Sequence, residues 1–218
     1  MTSPIVFLID VDNTLLDNDR VVADLREHLE RELGAEARDR YLSILDDLSE
    51  EVGFRDYLGA LQRYRIAHPL DLRLMSVSSY LLAYPFADRL YPGALDVLAH
   101  LGAIGPTVIL SDGDVVFQPR KVVRSGIAAA VAGRVLIYIH KELMLDDVAR
   151  RHPASRYVLI DDKPRILDAV KRAWGERVLT ILPRQGHYAL APPDASLMPP
   201  DIVVESIGEL LGYEDFDG

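Results

Sequence analysis

Ile5 to Ile9 is an unbroken apolar run that stops abruptly at Asp10-Val11-Asp12-Asn13-Thr14. A stretch apolar at every position predicts a strand buried on both faces, as in a parallel sheet, and the polar residues mark its carboxyl end. From Arg20 to about Phe86 the apolar spacing turns helical. Val21, Val22, Leu25, Leu29 and Leu33 form one stripe closed by Gly34, and Tyr41, Leu45, Leu48 and Val52 form a second closed by Gly53. Tyr57, Leu58, Leu61 and Tyr64 predict a third helix, and Leu74, Val77, Leu81 and Leu82 a fourth that ends near Pro85.

After Tyr91-Pro92-Gly93 the pattern alternates. Strands are predicted at Thr107 to Leu110, Val135 to Ile139, Tyr157 to Ile160, Val178 to Leu182 and Ile202 to Val204. Helices are predicted at Ala94 to Leu101, Pro119 to Arg124, Leu143 to Arg151, Pro164 to Ala173 and Ser206 to Leu211, and Gly186 to Pro200 reads as a proline-rich loop. The rhythm implies an α/β fold: a Rossmann-like parallel sheet with helices on both faces, plus a small all-helical unit inserted after the first strand. There is no internal repeat.

The chain has 218 residues, with 24 basic and 34 acidic side chains, a formal charge of −10. That argues against nucleic acid and anionic membranes as partners. Residues 16–88 carry nine arginines against fifteen acids, so much of the surplus falls on the helical insert. Cysteine is absent, which excludes disulfides, thiolate metal sites and a cysteine nucleophile. The apolar stretch Pro4 to Ile9 is too short for a signal-peptide core or a membrane span, and the expectation is a soluble, cytoplasmic protein, monomer or homodimer. Only four lysines occur, Lys121, Lys141, Lys163 and Lys171, against twenty arginines.

Four predicted strands end in polar residues: Asp10/Asp12, Ser111/Asp112, Lys141 and Asp161/Asp162. Ligands of open α/β sheets bind at the carboxyl ends of the strands, so these groups converge on one crevice. Carboxylates packed together resist ionising unless a cation sits among them, and an oxygen-only set suits Mg2+. With a lysine opposite, the constellation points to phosphoryl transfer to an aspartate.

In these residues the chain resembles the haloacid dehalogenase (HAD) superfamily, in its phosphatase branch. Asp10-Val11-Asp12-Asn13-Thr14 matches the first motif, D-x-D-x-T; Ser111 matches the second; Lys141 fits the third and Asp161-Asp162 the fourth. The resemblance implies a HAD-like core over residues 1–15 and 90–218 and a helical cap over 16–89. It implies a Mg2+-dependent phosphohydrolase acting on a small phosphorylated metabolite. Asp10 would be the nucleophile, Asp12 the general acid and then base, and Lys141 the stabiliser of nucleophile and phosphate. Ser111 and the backbone amides of Asp112 and Gly113 would bind phosphoryl oxygens, with Thr14 beside them. Asp10, Asp12 (through its carbonyl), Asp161 and Asp162 would hold Mg2+. Dehalogenases of the superfamily lack an acid at the position of Asp12.

Several alternatives stay open. Lys121 competes with Lys141, although the thirty-residue spacing from Ser111 favours Lys141. Many relatives carry a further acid where this chain has Ile166, which leaves Asp161 and Asp162 to supply the metal ligands. Asp112 and Asp114 face solvent, a substrate cation or a metal-bound water. His140 and His187 read as structural, Arg63 and Arg65 as a solvated face, the tyrosines of the insert as packing residues, and Lys163 as paired with a carboxylate or solvated. A phosphomutase resembling beta-phosphoglucomutase, a non-catalytic relative that binds phosphate or metal, and a signalling receiver are the competing functions. The receiver is disfavoured because its phosphoacceptor lies on a middle strand and it has no helical insertion.

Overall fold

The computed structural model describes residues 3–214 and residue 216. Strand β1 (Ser3–Ile9) leads directly into four helices, α1 (Asn18–Leu33), α2 (Ala35–Val52), α3 (Tyr57–Ala67) and α4 (Leu74–Ala83). A 3-10 turn at Phe86–Arg89 returns the chain to α5 (Ala94–Ile104) and β2 (Thr107–Asp112). Then follow α6 (Phe117–Arg124), α7 (Ile127–Ala130), β3 (Val135–Tyr138), α8 (Leu145–Arg151), β4 (Ala154–Ile160) and α9 (Pro164–Trp174). The chain ends through β5 (Val178–Pro183), α10 (Gly186–Leu190), β6 (Ile202–Val204) and a 3-10 turn at Ile207–Gly212.

All strand pairs are parallel, in the order β3-β2-β1-β4-β5-β6. The unbroken apolar run of β1 is explained by this central place, because both of its faces are covered. Ile5, Phe7 and Ile9 join one core, while Val6 and Leu8 join a second core on the other face with Val148, Leu167 and Val170. Each such fully buried side chain contributes about 1.5–3 kcal/mol. The first core continues through Leu15, Leu16 and Val21 into the stripes of the inserted helices, among them Leu25, Leu29, Tyr41, Leu45 and Val77.

Local signals set the ends of these helices. Asp17 accepts from the Arg20 amide at 2.9 Å at the start of α1, and Asp56 accepts from the Gly59 amide at 2.7 Å at the start of α3. Such side-chain caps satisfy amides that have no partner within the helix. Where the chain leaves the sheet and where it comes back, Leu16 and Leu90 form an antiparallel bridge. Beside that crossing, Asp24 of α1 accepts from the Tyr84 hydroxyl at 2.5 Å and from Arg89 Nη2 at 2.7 Å.

Some elements differ from the sequence pattern. Residues 186–200 are not loop throughout, since α10 forms at their start with Ala189 buried. The helix predicted at Leu143 to Arg151 is split: Lys141–Leu143 is a 3-10 turn and α8 starts at Leu145. The last predicted helix is also a 3-10 turn, and α7 was not signalled. All are short, where periodicity carries little information. Among the described residues no helix is long and apolar enough to cross a membrane.

Candidate active site

The register of the sheet levels the strand ends. Ile9 stands opposite Ile109 on one side and Ile160 on the other, so Asp10 and Asp161 emerge side by side. The loop after Asp10 is stabilised by its own hydrogen bonds. Asn13 adopts φ of 60°, and its side chain accepts from the Asn18 and Asp19 amides at 3.0 and 3.1 Å. Asparagine tolerates this left-handed conformation better than most residues. Asp19 in turn accepts from Asn13 Nδ2 at 3.0 Å and contacts the His187 ring at 2.6 Å, which ties α1 and α10 to the loop.

Asp10, Asp161 and Asp162 are all buried, and one oxygen from each lies within 4.8 Å of the others. Asp10 Oδ2 and both oxygens of Asp162 have no hydrogen-bond partner. Unpartnered buried carboxylate oxygens are costly, and an all-oxygen set fits a hard cation such as Mg2+. Burial, reinforced by the charges of Asp161 and Asp10, pushes the Asp162 carboxyl up to about 9, and burial likewise raises Asp161. Lys141 Nζ lies 2.5 Å from Asp10 Oδ1 and 2.6 Å from Asp161 Oδ2, in a fully enclosed position. Burial opposes its charge, but Asp10, Asp161 and Asp112 outweigh it and hold its pKa above the usual lysine range. Lys163 is raised in the same way, burial being overcome by the Asp10, Asp161 and Asp162 charges.

Asp12 is not part of this trio. Its carboxylate is 24 % exposed, contacts Lys121 Nζ at 2.6 Å and accepts from Gln118 Nε2 at 3.3 Å. Thus the two competing lysines take different aspartates, Lys141 pairing with Asp10 and Lys121 with Asp12. Gln118 also donates to Ser111 Oγ at 2.9 Å, so it joins the second strand end to Asp12. Nothing in the sequence pattern singles out Gln118 beyond its place one helical turn after Asp114.

The remaining candidates fall as follows. Asp112 Oδ1 accepts from the Lys141 amide at 2.7 Å, and Asp114 caps the start of α6 through the Val116 and Phe117 amides at 2.7 and 2.5 Å. Both acids therefore have structural partners. The Gly113 amide, expected to face a phosphoryl group, donates instead to the Tyr138 carbonyl at 2.9 Å, because the β2–β3 pairing runs past the end of β2. Thr14 is fully buried and its hydroxyl accepts from the Asp162 amide at 3.1 Å, which links the first strand end to the fourth. Lys163 faces the Tyr188 ring, 5.4 Å from its centre.

A cavity of about 540 Å3 opens between these strand ends and the inserted helices. Asp12, Lys121 and Asp162 line its floor, and Val22 and Arg26 of α1, Tyr57 of α3 and Arg55 of the α2–α3 connection come from the insert above.

A family model described as haloacid dehalogenase-like hydrolase matches residues 6–181. A comparison with curated proteins returns no match. Among solved structures, a haloacid dehalogenase-like hydrolase from Burkholderia xenovorans LB400 is 61 % identical, covers 98 % of this chain and 100 % of its own, and superposes with a TM-score of 0.93. The magnesium-bound HAD-hydrolase YfnB from Bacillus subtilis is 15 % identical over 97 % of this chain and 98 % of its own, with a TM-score of 0.64. The L-2-haloacid dehalogenase from Xanthobacter autotrophicus with chloropropionic acid covalently bound is 17 % identical over 97 % of this chain and 98 % of its own, at 0.61. The latter two likenesses speak for the fold alone. The family match and the 61 % identity over the full length speak for more: the chain belongs to the haloacid dehalogenase-like hydrolases.

Proposed function

We propose that this hydrolase is a Mg2+-dependent phosphatase that cleaves a small phosphorylated metabolite in the cytoplasm. The observation that carries the reading is the separation of its two motif aspartates. Asp10 lies with the buried acids and Lys141, whereas Asp12 stands apart, facing the cavity beside Lys121. A nucleophile next to a cation site, with an independent acid–base group two residues away, is what phosphoester cleavage to a protonated leaving group requires. Carbon–halogen cleavage needs no proton for the departing halide, so Asp12 would be idle in a dehalogenase.

Asp10, Asp161 and Asp162 would hold the metal, with the Asp12 carbonyl as a further oxygen. Bound there, Mg2+ supplies positive charge that lets a phosphate dianion approach an acidic crevice. Asp10 attacks phosphorus and Asp12 gives its proton to the leaving oxygen. Asp12 then takes a proton from water as that water attacks phosphorus, which frees Asp10 and releases phosphate. Lys141 orients Asp10 and offsets the growing charge, and Ser111 offers its hydroxyl to a phosphoryl oxygen. Residues 16–89 act as a cap that excludes bulk water and selects the leaving group.

The test is phosphate release from p-nitrophenyl phosphate with Mg2+, by the native protein and by Asp10→Asn, alongside chloride release from 2-chloropropionate. Phosphate release that disappears in the variant supports the reading. Chloride release, or phosphate release that survives the substitution, overturns it.

A further inference from the structure

Helix α1 has two functional faces. Val21, Leu25, Leu29 and Leu33 are buried in the core, while Asp19, Val22, Ala23 and Arg26 recur at helical spacing on a face that lines the cavity. Most charges around that cavity already have partners. Asp12 holds Lys121, Asp19 holds His187, Arg55 pairs with Asp46 at 2.7 Å and Arg165 with Glu142 at 3.2 Å. Arg26 has none. Of the twenty arginines, only Arg26 and Arg65 make no hydrogen bond, ion pair or ring contact among the described residues, and only Arg26 lines the cavity.

The lack is notable on an insert so rich in acids. Glu30 lies one turn further along α1, at the spacing that favours an ion pair, yet it pairs with Arg38. A second observation points the same way. Tyr57 lines the same cavity, is only 4 % exposed, and its hydroxyl, which lies close to Arg55 and Asn18, completes no hydrogen bond of normal geometry. A buried hydroxyl with bonding capacity to spare and a guanidinium without a partner, both bordering one cavity, make a receptor for an oxyanion.

We infer that the phosphate ester taken by this site carries a second anionic group, a carboxylate or another phosphate, on its leaving portion, and that Arg26 recognises it with help from the Tyr57 hydroxyl. The inference deepens the phosphatase reading and rests on it. The two ends of the substrate are held by different chemistry. The transferred phosphoryl group meets the metal-type acids and Lys141, and the distal anion meets the inserted helices.

Three esters matched in length test it: propyl phosphate, 2-carboxyethyl phosphate and 1,3-propanediol bisphosphate. The native protein should prefer one or both charged esters over propyl phosphate by about tenfold or more in kcat/KM, the usual scale of a hydrogen bond to a charged group. Whichever is preferred identifies the distal anion. Arg26→Gln should erase most of that ratio through KM, Arg26→Lys should keep part of it, and Tyr57→Phe should reduce it. Arg65→Gln, the other unpartnered arginine, should leave the ratio and the rate unchanged. Equal use of the three esters, or a preference that survives Arg26→Gln, overturns the inference while leaving the phosphatase reading intact. Where none of the three is turned over, p-nitrophenyl phosphate tells the readings apart, the phosphatase reading failing only if that ester too is left intact. Calorimetric binding of the same three esters to Asp10→Asn protein with Mg2+ then decides the Arg26 question, equal affinity overturning it and a tighter charged ester that loosens with the additional Arg26→Gln supporting it.

Discussion

Lys121 Nζ stands 2.6 Å from Asp12 Oδ1, so the second aspartate of the motif is oriented by a residue of α6 that lies 109 positions further along the chain. The same ammonium holds Asn18 Oδ1 at 3.0 Å, at the start of the inserted helices. Asp12 is therefore fixed with respect to both the sheet and the insert.

That tether makes the role of Asp12 measurable. Asp12→Asn should slow hydrolysis of an alkyl phosphate by about 10²–10⁴-fold, the usual worth of a placed acid–base group. With p-nitrophenyl phosphate, whose leaving group departs without a proton, the same variant should release a burst of nitrophenolate equal to the enzyme present and then stall. Lys121→Met should move both readouts in the same direction by less. Stopped-flow absorbance checks this; equal loss on both substrates contradicts it.

Metal binding should be visible as protons and as heat stability. Without a cation, the Asp162 carboxyl, raised to about 9 by burial and by its acidic neighbours, is protonated at pH 7. Mg2+ must displace that proton, so titration in buffers of different ionisation enthalpy should show proton release. Because the folded pKa lies above that of the unfolded chain, the metal-free protein binds more protons folded than unfolded. Its stability should fall as pH rises from about 4 towards 9. The gain from Mg2+, about 2.7 kcal/mol at a hundredfold excess over Kd, should widen over that window. Asp162→Asn should abolish the Mg2+-dependent rise in Tm.

At the crossing between sheet and insert, Asp24 responds oppositely to pH. Burial works to raise its pKa, but hydrogen bonds from Tyr84 and Arg89 outweigh it and hold the carboxyl below the usual aspartate value. A depressed folded pKa gives stability that is complete above the unfolded value and lost as pH falls on through the lowered folded value. Asp24→Asn should therefore lower Tm clearly at pH 7 and progressively less as pH falls below about 4, by thermal unfolding monitored across that range.

The loop that carries Asp12 should also respond to a single methyl group. A Cβ on Gly186, which has φ of +70°, would lie 2.4 Å from Asn13 Cβ. Gly186→Ala should destabilise the fold by about 1–3 kcal/mol and reduce turnover by shifting Asn13. Gly133 has a similar φ of +75° with open space around it, so Gly133→Ala should cost only its backbone strain and leave turnover alone.

The sheet and its four polar strand ends were readable from the chain because each rests on local pattern. Ile5 to Ile9 is apolar throughout since β1 is central, and Asp10 follows it directly. Lys141 could be favoured by spacing but not separated from Lys121, because both lysines end against an aspartate of the same motif. What stayed hidden depends on contacts between distant segments. Gln118 reveals its importance only once α6 lies across Ser111 and Asp12, and the partners of Asp112 and Asp114 appear only with the loops folded. The engagement of the Gly113 amide is hidden for the same reason, since a neighbouring strand claims it.

The central position of β1 has a consequence for the protein as it is made. Strand β1 is synthesised before the other strands of the sheet, and its partner β4 and the acids Asp161 and Asp162 follow only after the insert and half of the sheet. Until β4 appears, Asp10 lacks Asp161 and Asp162 as neighbours, although Lys141 has already been made. On the proposed mechanism a nascent chain carries its nucleophile in an inactive form until the long-range pairing of β1 with β4 has closed.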